Sequence, residues 1–139
     1  MKFKNMFSPI QIGPMTVKNR FVVPPMGNNF ANSDGTWSDE SVAYYGERAK
    51  GQFGLITIEA TVVHKGAKGG PKKPCLYDDN SIESLKKITD ACHEEGAKVS
   101  IQLQNAGPEG NAKNAGAPIE AATSIPSDCG RDTQRKLRL

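Results

Sequence analysis

Three short stretches place chemically useful side chains where apolar runs stop: Pro24-Pro25-Met26-Gly27, Glu59-Ala60-Thr61 and Gln102. Gln102 carries a primary amide, which both donates and accepts hydrogen bonds, and so can match a ligand edge that alternates the two. Met26 adds a soft, polarisable thioether. Glu59 is a carboxylate at the end of an apolar strand, read as structural rather than as an acid or base. Other reactive residue types are scattered. His64 sits in a Lys/Gly-rich loop and His93 near the end of an amphipathic helix, and both read as non-catalytic. Cys75, Cys92 and Cys129 are odd in number, widely spaced and without a CxxC pair, so they imply neither a disulfide framework nor a metal site and read as reduced thiols. No residue can be assigned as catalytic, and no metal ligand set is present in the pattern.

The elements that must position these residues are legible. Phe53, Leu55, Ile56 and Ile58 form a continuous apolar run opened by Gly51 and Gly54, which predicts a buried mid-sheet strand over 53–59. Such a run suits a parallel strand covered on both faces, and parallel neighbours need crossover helices. Upstream, Ser38 is a suitable N-cap, Asp39 and Glu40 complement the helix dipole, and Val42, Tyr45 and Ala49 recur at helical spacing until Gly51. Downstream, a Gly/Lys/Pro-rich loop runs from Thr61 to Asp79. Asn80 with Glu83 then resembles a capping box, followed by a stripe of Ile82, Leu85, Ile88 and Cys92 that ends at Gly96. Lys98 to Leu103 alternates, so Val99 and Ile101 should face the helices and Gln102 the opposite side. Before these units, residues 6–20 read as a β-hairpin around Gly13-Pro14, and Phe21-Val22-Val23 as a short strand stopped by two prolines. Trp37 and the Tyr44-Tyr45 pair are expected to pack around the first helix. Residues 104–139 show no clear element and form a loop-rich end.

Composition narrows the function classes. With 37% hydrophobic residues in 139, the chain can bury a core. No run approaches the ~20 apolar residues of a membrane helix, and the first residues lack the apolar segment of a secretory signal, so neither membrane insertion nor export is expected and a cytoplasmic location follows. The net charge of +3 resides in residues 131–139, where Arg131, Arg135, Lys136 and Arg138 oppose Asp132. The remaining residues balance, leaving no basic face for a phosphate backbone; no nucleic-acid partner is expected. Lys65, Lys68, Lys72 and Lys73 read as a solvated loop, with an anionic substrate such as a coenzyme A thioester as the alternative.

The order strand, helix, strand, helix, strand fits both a doubly wound sheet and a (β/α)8 barrel, which each place chemistry at strand C-termini. The dinucleotide fingerprint GxGxxG follows none of the strands, and Gly110 to Gly116 lacks the ending of a phosphate loop. Neither nucleotide motif survives.

Several motifs together resemble the old yellow enzyme family of FMN-dependent NADH:flavin oxidoreductases, including its 2,4-dienoyl-CoA reductase and bile-acid-inducible branches. They are Phe7-Ser8-Pro9-Ile10 with Ile12-Gly13, Lys18-Asn19-Arg20, Pro24-Pro25-Met26, Tyr44-Tyr45 with Arg48-Ala49-Lys50-Gly51, Gly54-Leu55-Ile56 with Glu59-Ala60-Thr61, His93 to Lys98, and Gln102-Leu103. Their order and spacing match from residue 6 to about residue 126. The resemblance implies the N-terminal part of an FMN-binding (β/α)8 TIM barrel, an α/β fold with the hairpin plugging its base. It implies cofactor-binding roles for Pro25, Met26 and Gly27 beneath the flavin ring, Ala60 on the pyrimidine side and Gln102 at the pyrimidine edge. Gly27 stands where the family often has a Thr or Cys side chain. NADH or NADPH is the implied reductant, and an unsaturated carbonyl compound, an enone or enoyl thioester, the implied substrate. The family's substrate-carbonyl residues, phosphate loops and any iron–sulfur cluster belong to parts of such proteins beyond residue 139.

Two departures stand out. Asn105 and Pro108 replace a His and an Arg of the family's pattern after the strand-three glutamine. A barrel of this kind also takes about 250 residues, so the chain is expected to be an incomplete enzyme, inactive alone. The alternative is a non-catalytic fragment or an assembly or binding module. Substrate identity, nicotinamide preference and oligomeric state are not written in these residues.

Overall fold

The computed structural model describes residues 3–123, 125 and 134–136, the last three by their backbone only. A helical turn, Lys4–Phe7 (α1), precedes an antiparallel hairpin of Ile10–Ile12 (β1) and Met15–Val17 (β2). Gly13 at φ 54° makes the tight reversal between them. The expected hairpin over 6–20 is therefore shorter, because Met6 and Phe7 belong to α1, where the Met6 N–H bonds the Phe3 carbonyl at 3.1 Å.

Three parallel strands follow in the spatial order of the chain: Val22–Val23 (β3), Leu55–Val62 (β4) and Lys98–Gln104 (β5). The crossovers are Asp39–Lys50 (α2) and Ile82–Glu94 (α3). Pro24 and Pro25 stop β3 after two residues, since proline has no N–H for the ladder. Ser38 caps α2 by accepting the Ser41 N–H at 3.2 Å, as its sequence position predicts. At the other end Gly51 keeps an ordinary φ, and Gln52 takes the left-handed conformation at φ 68°.

Both helices cover the same face. Ile56 and Ile58 of β4 are fully buried against Tyr45 and Ala49 of α2 and against Ile88 and Cys92 of α3, with Trp37, Val23 and Ala97 completing the core. Val99 and Ile101 pack onto it from β5, as the alternation in sequence requires. The opposite face carries polar pairs, with the Thr57 and Ser100 hydroxyls 2.8 Å apart. Consecutive parallel strands with all crossover helices on one side form a stretch of barrel wall rather than a closed barrel.

Four sequence expectations need correction. The central strand runs Leu55–Val62 rather than 53–59, because Val62 is held on both sides: its N–H bonds the Pro74 carbonyl and its carbonyl accepts the Leu76 N–H, each at 2.8 Å. The capping box at Asn80 and Glu83 does not form. Asp78 instead accepts the Asn80 N–H at 3.0 Å and starts a 3-10 turn, Asp79–Ser81, from which α3 continues. Ile82 is consequently 56% exposed, although Ile88 and Cys92 hold the buried stripe. Finally, the region after Gln104 is not a plain loop. It contains a 3-10 turn at Gly107–Glu109, a single helical turn at Ala112–Ala115 (α4), and Ile119–Ala121 (β6) paired in parallel with Gln134–Lys136 (β7). Ile119 is fully buried, and the Pro118 carbonyl lies so close to Gly66 that a β-carbon there would stand 2.8 Å from it. This segment packs on the loop beyond β4, and Leu103 at the edge of β5 stays 63% exposed.

Candidate functional site

The C-terminal ends of β3, β4 and β5 lie side by side, and the register sets their level. Val23 pairs with Ile56, Ile58 with Ile101, and Thr61 with Leu103. Between the last two pairs, Glu59 and Ala60 together oppose Gln102 alone, a β-bulge of the kind that re-aims side chains at a sheet's rim. Pro25, Met26 and Gly27 continue from β3 onto the same rim.

Each residue assigned from sequence can be placed there. Pro25 and Ala60 are half-buried, Met26 is 58% exposed, and Gly27 and Gln102 are exposed. Gln102 follows Ser100 by two residues and so shares its face, away from the helices. Its amide has no hydrogen-bond partner among the described residues and is free to meet a ligand.

Behind this rim lies a buried polar cluster that the sequence reading only touched. Glu59 is fully buried. Its Oε2 accepts the Asn28 N–H at 3.3 Å and faces Lys73 Nζ at 3.8 Å, while its Oε1 has no partner. The Asn28 amide nitrogen is likewise buried and unpaired. Burial pushes the Glu59 carboxyl above its ordinary range, against the opposing pull of the Asn28 N–H and the Lys73 charge. The Glu59 backbone N–H donates to the Tyr45 hydroxyl at 2.9 Å. Burial also pushes the Tyr45 phenol up to about 12, so it stays neutral.

The lysine loop splits in two. Lys65 and Lys72 are exposed, as expected for a solvated loop, but Lys68 is 5% exposed with its Nζ on the Ser33 carbonyl at 3.2 Å, and Lys73 turns inward to Glu59. This corrects the reading of all four as solvent-facing; a buried carboxylate draws a cation that composition alone would leave outside. Asn28 and the inward turn of Lys73 are absent from the sequence reading. The signal available for them was Glu59 itself, a carboxylate in an otherwise apolar strand that needs a counter-charge.

The remaining candidates stand away from the rim. His64 accepts the Gly66 N–H at Nδ1 (3.2 Å), the same atom lying 3.3 Å from Glu120 Oε2, and His93 is exposed on α3. Cys75 and Cys92 are buried free thiols, and Cys129 lies outside the described residues. Among the described residues no cluster of three or more His, Cys, Asp or Glu could hold a metal ion, and no helix is long and apolar enough to cross a membrane. A groove of about 700 Å³ is lined by Val22, Phe30, Tyr44 and Arg48 and reaches the rim at Pro24, Met26, Gly27 and Asn28.

Comparison with known proteins bears on this rim. The model of the NADH:flavin oxidoreductase / NADH oxidase family matches residues 5–137. The old yellow enzyme from a Pichia species superposes with a TM-score of 0.80 at 33% identity, over 87% of this chain and 32% of its own. The old yellow enzyme homologue of Zymomonas mobilis gives 0.84 at 28% identity, over 97% of this chain and 40% of its own. A 2-naphthoyl-CoA reductase in complex with 2-naphthoyl-CoA gives 0.88 at 27% identity, over 98% and 23%. The chain thus spans less than half the length of each of these proteins.

Proposed function

Because the chain belongs to the NADH:flavin oxidoreductase / NADH oxidase family, we propose that its strand ends form the ring-binding wall of an FMN site in an oxidoreductase of the ene-reductase type. When bound, FMN supplies hydride chemistry between NADH or NADPH and an activated alkene such as an enone or enoyl thioester. The protein's share is to bind, orient and shield.

The residues present fit the flavin ring. Its pyrimidine edge alternates donors and acceptors, and the unpartnered Gln102 amide offers both on the open face of the sheet. Ala60, in the bulge opposite Gln102, is small enough for close approach. Met26 presents an exposed thioether at the rim, where a flat conjugated ring gains from a polarisable contact. Pro25 fixes the backbone on which Met26 and Gly27 are carried. The observation that carries this reading is the bulge that sets Glu59 and Ala60 against Gln102 at the rim. An enoyl thioester is the favoured substrate subclass, supported by the acyl-CoA bound to one structural neighbour and by the exposed Lys65 and Lys72.

Quenching of FMN fluorescence on titration with the 139-residue chain tests the proposal. Binding is expected to be weaker than submicromolar, because phosphate sites in such barrels come from the last two strands. Gln102→Glu should abolish it, since a carboxylate has no donor to give. Absence of quenching, or quenching indifferent to that substitution, would overturn the reading.

A further inference from the structure

Gly27 is the rim residue without a side chain, yet the volume of its missing side chain is filled. A β-carbon built there would stand 2.8 Å from Lys73 Nζ and 3.8 Å from Glu59 Oε2. The ammonium comes from the distant loop, and its side chain is 23% exposed. Its nearest carboxylate oxygen, at 3.8 Å, is beyond hydrogen-bond length, and no hydrogen bond of the Lys73 ammonium occurs among the described residues. An ammonium is a compact, strongly hydrated charge with three donors, and leaving them unmet at partial burial is costly. Glu59 Oε2 lies 3.8 Å behind the ammonium, which stands over Gly27.

We propose that Lys73 is a ligand-facing cation, standing in for a side chain at position 27 and favouring the electron-rich, reduced form of the bound ring over its oxidised form. This rests on the FMN reading above. Two-electron reduction of FMN leaves an anionic ring near neutral pH, so a nearby cation stabilises the reduced state more than the neutral oxidised one. The ammonium is nearer to Gly27 than the carboxylate is, so its sign dominates there.

The experiment is a pair of titrations of the chain, one with oxidised FMN and one with dithionite-reduced FMN under argon, each giving a dissociation constant. Lys73→Met is expected to lower the preference for reduced over oxidised FMN about tenfold, equivalent to about 30 mV for a two-electron couple. Glu59→Gln, which frees the ammonium of its counter-charge, should move the ratio the opposite way. Should Lys73→Met fail to fold, Gly27→Ala, whose β-carbon takes the ammonium's place, should move it in the same direction as Lys73→Met. A ratio unchanged in the folded variants while both forms still bind would overturn this inference and leave the FMN site standing. Failure of the unsubstituted chain to bind either form would overturn the FMN reading and this inference with it.

Discussion

The two ends of the three-stranded sheet are built on opposite principles. At the N-terminal end the chain closes on itself. Asn19, 7% exposed, donates to the Gln52 carbonyl at 2.7 Å and accepts the Phe21 N–H at 3.0 Å, Lys18 reaches the Glu95 carbonyl at 2.6 Å, and Gly54 bonds outward on both sides to Phe21 and Lys98. At the C-terminal end, two buried side-chain atoms, Asn28 Nδ2 and Glu59 Oε1, have no partner, and Met26 and Gln102 face outward. Unsatisfied buried polar groups cost folding free energy. Their place at the end where parallel α/β folds carry chemistry suggests a division of labour, with stability drawn from one end and ligand contacts left open at the other.

The contrast is tested most strongly at Gly54. A β-carbon there would stand 2.7 Å from both Asn19 Oδ1 and Val17 Cγ1, and 2.8 Å from the Asn19 carbonyl oxygen. Gly54→Val is therefore expected to destabilise the chain by about 3 kcal/mol through overpacking. The urea midpoint measures it, and a midpoint like that of the unsubstituted chain would show that the floor is looser than its contacts imply.

The opposite pattern is expected at Gln102. Its side chain is exposed and unpartnered, so Gln102→Ala should leave the urea midpoint unchanged while weakening FMN binding by about 1 to 3 kcal/mol, the range for a polar ligand group left without its partner. Unchanged FMN affinity would mean that Gln102 faces elsewhere. A fall in stability instead would erase the distinction between the two ends.

Sequence alone reached the sheet and its two helices because these rest on periodicity. Val42, Tyr45 and Ala49, then Leu85, Ile88 and Cys92, recur at helical spacing, and Val99 and Ile101 alternate with Ser100 and Gln102. The rim positions Pro25 to Gly27, Ala60 and Gln102 followed from strand ends and from the family resemblance. What escaped was non-local. Lys73 is one of four lysines in a glycine-rich loop, and only the fold brings it to Gly27 and Glu59. The extension of β4 to Val62 depends on Pro74 and Leu76, and the close approach of the Pro118 carbonyl on a glycine at 66. No local pattern encodes such long-range pairings.

A smaller effect is expected at Tyr45, which joins the core to the rim. Its ring is buried on α2 while its hydroxyl accepts the Glu59 N–H at 2.9 Å. Tyr45→Phe keeps the packing and strands that N–H, so a loss of about 1 kcal/mol in urea stability is expected. No loss would mean that the Glu59 N–H is satisfied in another way and that the core is not coupled to the rim through this bond.

The subtlest test reads the charge state of Glu59 itself. Its folded pKa is raised above 4.5, chiefly by burial, with the Asn28 N–H and Lys73 pulling it back. Below pH 4.5 the folded and unfolded chains both hold the proton, and Glu59 contributes no pH dependence. Above that value the unfolded chain ionises first while the folded one keeps its proton, so folding is progressively disfavoured as pH rises through the folded pKa. Above the folded pKa the penalty is complete and constant. Glu59→Gln removes this proton without changing the shape of the side chain. The stability of the unsubstituted chain relative to Glu59→Gln, from urea midpoints at successive pH values, is therefore expected to fall as pH rises above 4.5. The opposite slope would place the folded pKa below the unfolded one. Lys73 would then outweigh burial, the rim would hold a satisfied ion pair, and the C-terminal end would be sealed in the same manner as the floor.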